Sequence, residues 1–149
     1  MERTQPPVIG SLILLLLVGG AALMLSRAGR SDAEVCRNIL NGLIEGKSSV
    51  ARRIDWERLT ALGKDIGAEY RGLPNDAERA RYRQSFVMSF PRGFQQAHGN
   101  LSSFRNWRIK AREGNLVVVA VDYEIKHKTL LMGVPASGPK KLETLQWQQ

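Results

Sequence analysis

A chain of 149 residues holds one ordinary domain and a short extra segment, and is too small for two well-packed domains. With 43% hydrophobic and 24% charged residues it is not an intrinsically disordered chain. Its single cysteine, Cys36, excludes an internal disulfide, and a formal net charge of +8 directs attention to anionic partners.

Residues 1–7 read as a short tail. Residues 8–25, VIGSLILLLLVGGAALML, carry no charge. At about 1.5 Å of rise per residue, such a run just crosses a hydrocarbon core of roughly 30 Å. The sequence therefore predicts a single-pass transmembrane anchor. A cleaved signal peptide is the alternative, with Ser26 and Ala28 as small residues before Gly29, although the apolar run exceeds the usual signal core of about 7–15 residues. Residues 26–32 form a polar linker and residues 33–149 the domain. Arg27, Arg30 and Arg37 outnumber Arg3, which taken literally places the domain in the cytoplasm. The signal-like start and tiny tail argue for export, and the expectation taken is a membrane protein with an extracytoplasmic domain.

Within the domain, Val35, Cys36, Ile39, Leu40, Leu43 and Ile44 recur at helical spacing, capped by Asp32 or Ser31 and stopped at Gly46. A second stripe, Leu59, Leu62, Ile66 and Tyr70, predicts a helix capped by Asp55 and ended by Gly72-Leu73-Pro74. Asn75 with Glu78 three residues on has the spacing of a capping box. It opens a third helix with Tyr82, Phe86, Phe90, Phe94 and Ala97 on one face and a kink at Pro91.

The period then changes. Trp107, Ile109 and Ala111 alternate with Arg108, Lys110 and Arg112, a half-buried strand, and LVVVAVDYEI at residues 116–125 is the strongest strand signal. A three-residue loop at 113–115 pairs Ile109 with Val119 and Trp107 with Val121, and sets Asn106 opposite Asp122. Residues 126–128 break the sheet, 129–134 resume it, and 140–147 close it. The expected fold class is α+β: three N-terminal helices packed on an antiparallel sheet of three to four strands, preceded by one transmembrane helix.

Three helices followed by a meander with FRNWRI, LVVVAVDYEI and a closing KKLETLQW strand resemble the nuclear transport factor 2-like superfamily, over about Asp32 to the C-terminal residue. The resemblance implies a curved sheet wrapped around helices as a cone with an apolar pocket. That superfamily holds isomerases, dehydratases, polyketide cyclases and non-catalytic binding and assembly modules, so the fold alone does not assign an activity.

The chemistry-bearing residues are few. His98 and His127 are the only histidines and have no paired-ligand spacing, so no metal is expected. No glycine-rich phosphate loop occurs, and no cofactor is expected. Cys36 sits on an apolar stripe and reads as core. Tyr123 and His127 share one parity of the long strand and are the candidate acid–base residues. No pair of groups has environments that push their pKa values apart, so the non-catalytic reading leads. The candidate pocket is Phe86, Phe90, Phe94, Val119, Val121 and Tyr123, with Arg83 near its mouth, suited to an apolar or amphiphilic ligand such as a lipid. Basic residues are dispersed and Trp107 has buried-face parity, which argues against nucleic acid. Expected partners are membrane lipids and a membrane complex or a second copy. The leading function is a membrane-tethered binding or assembly module. The alternatives are a pocket enzyme of the isomerase or cyclase kind and a structural oligomerising subunit.

Overall fold

A computed structural model describes residues 32–96 and 99–149. The tail, the apolar run at 8–25 and all but the last residue of the linker lie outside the described residues. Among the described residues no helix is long and apolar enough to cross a membrane. The expected fold class is corrected, for the described residues, to one without a transmembrane helix, and the membrane placement has no support among them.

Helix α1 covers residues 32–45. Its stripe is buried as the spacing requires: Cys36, Ile39, Leu40 and Leu43 are all 0% exposed. Gly46 ends it with φ +65°, the left-handed conformation that glycine adopts without steric cost. A Cβ on Gly46 would also stand 2.8 Å from the Pro91 ring, so this turn packs directly on a later helix. A 3-10 helix, Ser48–Arg53, follows.

Residues 54–65 depart from the sequence reading. In place of a helix capped by Asp55, Ile54 bridges Leu142, and two short strands, β1 (Thr60–Ala61) and β2 (Lys64–Asp65), form a hairpin. The two turn residues, Leu62 and Gly63, have φ +52° and +82°, as a type I′ turn demands. Asp65 is the true cap and accepts from the Ala68 amide at 2.9 Å. Helix α2 is only Ile66–Arg71. The stripe is still visible as burial of Leu59, Ile66 and Tyr70, while Leu62 is 50% exposed.

Asn75 caps α3 (Asp76–Gln96) through a 2.9 Å bond from the Glu78 amide. The helix runs through Pro91. In that turn Ser89 donates its hydroxyl proton to the Phe86 carbonyl at 2.6 Å.

The remaining strands are β3 (Phe104–Glu113), β4 (Leu116–Tyr123), β5 (Lys128–Pro135) and β6 (Thr144–Trp147). They join the first hairpin in one six-stranded sheet of order β2-β1-β6-β5-β4-β3. All pairings are antiparallel except β1 with β6. The expected sheet of three to four antiparallel strands is thus corrected to a mixed sheet of six. Its last strand lies between β1 and β5 because Leu142 and Leu145, 0% and 1% exposed, bury against the core there.

The β3–β4 turn holds two residues, since Glu113 faces Leu116. The expected Ile109–Val119 pair still forms, because a register shift between Ile109 and Ala111 restores the parity that the shorter turn removes. A second shift lies between Arg105 and Arg108, around Asn106 at φ +59°. Asn106 reaches Asp122 through its side chain at 3.1 Å.

One face of the sheet carries Val119, Val121, Tyr123, Leu130, Met132 and Leu145 into the main core with α1 and α3. The opposite face holds a smaller cluster of Val118, Ala120 and Leu131.

Candidate functional site

The phenylalanines of α3 sit four residues apart, so each stands one turn from the next on one face. Phe86 and Phe90 have ring centroids 5.3 Å apart, and Phe90 and Phe94 6.4 Å. The aromatic row continues across to the sheet: Phe94 meets Tyr123 edge-on at 6.1 Å, and Tyr123 lies stacked between Phe104 at 4.5 Å and Trp147 at 5.8 Å. Such contacts add about 0.5–1.5 kcal/mol each beyond area burial, so the row is a rigid wall.

Between this wall and the sheet runs an open groove of about 250 Å³. Ser89, Phe90, Gly93 and Phe94 of α3 form one side, and Tyr123, Leu130, Leu145 and Trp147 of β4, β5 and β6 the other. Leu130 and Trp147 are direct cross-strand partners. Leu62 of the first hairpin and Lys126 also line it. Gly93 contributes open space: a Cβ there would find nothing within 4 Å.

The sequence candidates separate into three groups. Phe90, Phe94 and Tyr123 line the groove. Phe86 lies one turn away, edge-on to Trp56 at 5.3 Å, and lines an adjoining hollow with Phe90. Val119 and Val121 are 0% exposed and lie in the core rather than along the groove. Arg83 is elsewhere. It donates to the Tyr70 hydroxyl, its guanidinium lies 5.9 Å from the Tyr70 ring, and it borders a different hollow.

Tyr123 is 2% exposed, and its hydroxyl has no hydrogen-bond partner among the described residues. The hydroxyl lies against Gly99, where any Cβ would collide with it. Burial pushes its pKa upward, which keeps it a neutral phenol. His127 is exposed with φ +49° and follows the 3-10 helix Glu124–Lys126. The turn it makes carries Lys126 to the mouth of the groove, a placement that strand parity cannot reveal.

Asp122 faces away from the groove. It accepts from Arg108 at 3.1 Å, Asn106 at 3.1 Å and Thr129 at 3.0 Å. The Arg108 bond, then the other two, hold its pKa below the ordinary carboxylate value. Among the described residues no group of three or more His, Cys, Asp or Glu side chains could hold a metal ion. The groove therefore offers shape, an apolar surface and one cation. Models of known families, curated proteins and solved structures contain no match to this chain.

Proposed function

We propose that the domain is a non-catalytic binding module whose ligand is an apolar or amphiphilic molecule held in the groove between α3 and the sheet. The observation that carries this reading is an open groove with Phe90 and Phe94 of α3 along one side and Tyr123, Leu130, Leu145 and Trp147 of the sheet along the other. Phe90, Phe94 and Trp147 are only half-buried there, and the carbon surface they leave is favourable to fill, at roughly 25 cal/mol per Å² removed from water. Against catalysis, Tyr123 has no base in hydrogen-bond reach among the described residues. On this reading the architecture is that of a nuclear transport factor 2-like domain, and the groove is its pocket.

The test is a fluorescence titration of the purified protein with N-phenyl-1-naphthylamine, a neutral apolar probe. Saturable enhancement is expected in the wild type. Gly93→Leu and Phe90→Trp are expected to weaken it at least tenfold while leaving the far-UV circular dichroism unchanged. A wild type that does not bind the probe, or folded variants that bind it equally well, would refute the assignment.

A further inference from the structure

We propose that the groove selects anionic single-chain amphiphiles and that Lys126 is the residue that reads the head group. This deepens the preceding reading and rests on it. Lys126 is the one ionised side chain among the described residues that line the groove, and none of those residues is a carboxylate. The nearest acid in the chain, Glu124, is engaged elsewhere, paired with Arg105 at 3.1 Å. Lys126 has no ion-pair partner of its own among the described residues.

The other polar groups strengthen the preference. Ser89 already gives its proton to the Phe86 carbonyl, so it does not compete with Lys126 as a donor. Three ammonium protons at the mouth suit a carboxylate, sulfate or phosphate monoester, and repel an ammonium head. The volume of about 250 Å³ falls below the roughly 300–1,000 Å³ of sites for drug-sized ligands, which favours one chain over two. Leu62 also lines the groove, half exposed on a left-handed backbone, and adds apolar surface for the chain of the ligand.

The experiment uses the full chain and displacement of N-phenyl-1-naphthylamine by dodecanol, dodecanoate, dodecyl sulfate, dodecyl phosphate and dodecylammonium, each below its micelle concentration. The anions are expected to bind about 2–5-fold tighter than dodecanol, as for an exposed charge pair. Dodecylammonium should bind weakest. Lys126→Gln should bring the anions level with dodecanol, and a titration of the same variant with N-phenyl-1-naphthylamine reports whether the groove is intact. Lys126→Glu should favour dodecylammonium. The order among the three anions separates a fatty-acid from a phosphate or sulfate head. Equal binding of dodecanoate and dodecanol by the wild type, or an anion preference that survives in Lys126→Gln, would overturn the role of Lys126 alone. Failure of all five to displace the probe would overturn the groove as well.

Discussion

Lys140 reaches from the loop before β6 to Asp32, the first described residue of α1, at 2.9 Å, and also donates to the carbonyls of Pro135 and Ala136 at 2.6 and 2.8 Å. Asp32 is 4% exposed, and losing its partner would leave a buried charge uncompensated. Lys140→Met is expected to cost about 2–3 kcal/mol, less than for a wholly buried pair, because Lys140 keeps 29% of its side chain in water. Urea denaturation measures this directly, and a loss below 0.5 kcal/mol would remove the clamp from the account. Nearby, burial, reinforced by the Asp32 carboxylate and opposed by Lys140, pushes the Cys36 thiol up to about 12. At pH 8 the native protein should be inert to a thiol reagent that labels it at once in denaturant. The Asp122 carboxyl moves the other way. Its folded pKa lies below the ordinary value near 3.8, so its contribution to stability is present above that value and disappears as pH falls through the lowered one. Asp122→Asn should therefore flatten the acid limb of a stability profile below about pH 4. The phenylalanine ladder was legible in the sequence, because spacing alone sets helix faces. Lys126 was not, because its place depends on a 3-10 turn and a left-handed histidine, which no periodicity encodes. Arg83 misled because Tyr70, which takes it up, belongs to a segment whose path was not foreseen.

The segment 54–71 shows how a correct hydrophobic pattern can yield the wrong element. Leu59, Leu62, Ile66 and Tyr70 fit a helix, yet the chain folds at Leu62-Gly63 into a hairpin. The glycine at φ +82° was the available signal, outweighed by a stripe in which one member of four is exposed. In β3 the alternation held only as far as Trp107 and Ile109, which pack on the main core; the register shift after Ile109 moves Ala111 to the cluster on the opposite face and alters the turn length inferred from the pattern. The two register shifts of β3 also irregularise a strand at the sheet edge, where Arg105, Arg108, Lys110 and Arg112 further discourage pairing with another chain. Helix α3 gives a cleaner test. Gly93 lies inside it with free space at its Cβ position, and an interior glycine costs about 0.8–1.0 kcal/mol relative to alanine. Gly93→Ala is expected to raise stability by about that amount and the melting temperature by a few degrees. If the melting temperature falls instead, the space at that position is not open. The larger Gly93→Leu separates filling the groove from harming the helix.

The domain's overall plan was half visible. The long β3–β4–β5 meander follows from periodicity and strand propensity, whereas the expected order of helices before strands is broken by β1 and β2, which precede α2 and α3. The six-stranded sheet does not follow from them, because the short β1–β2 hairpin joins it only through β1, which pairs with a strand more than 80 positions later in the chain (Thr60 with Thr144). Such contacts are tertiary and leave no local trace. Their energetic weight is testable by a chain ending at Glu143. Removing β6 takes away Leu145 and leaves both β1 and β5 with open edges. That truncated chain should lack dispersed amide resonances, and a well-dispersed spectrum would show that β6 is dispensable.

The interior position of β6 has a bearing on how the polypeptide acquires its shape during synthesis. Both strands that β6 joins are made before it, so the emerging chain carries a meander and a distant hairpin that still lack the strand pairing them. Apolar edges on β1 and β5 then wait, uncovered, until residues 144–147 leave the ribosome. Closure waits on those four residues, and a product stalled or shortened before them would expose its unfinished sheet to aggregation and to proteases.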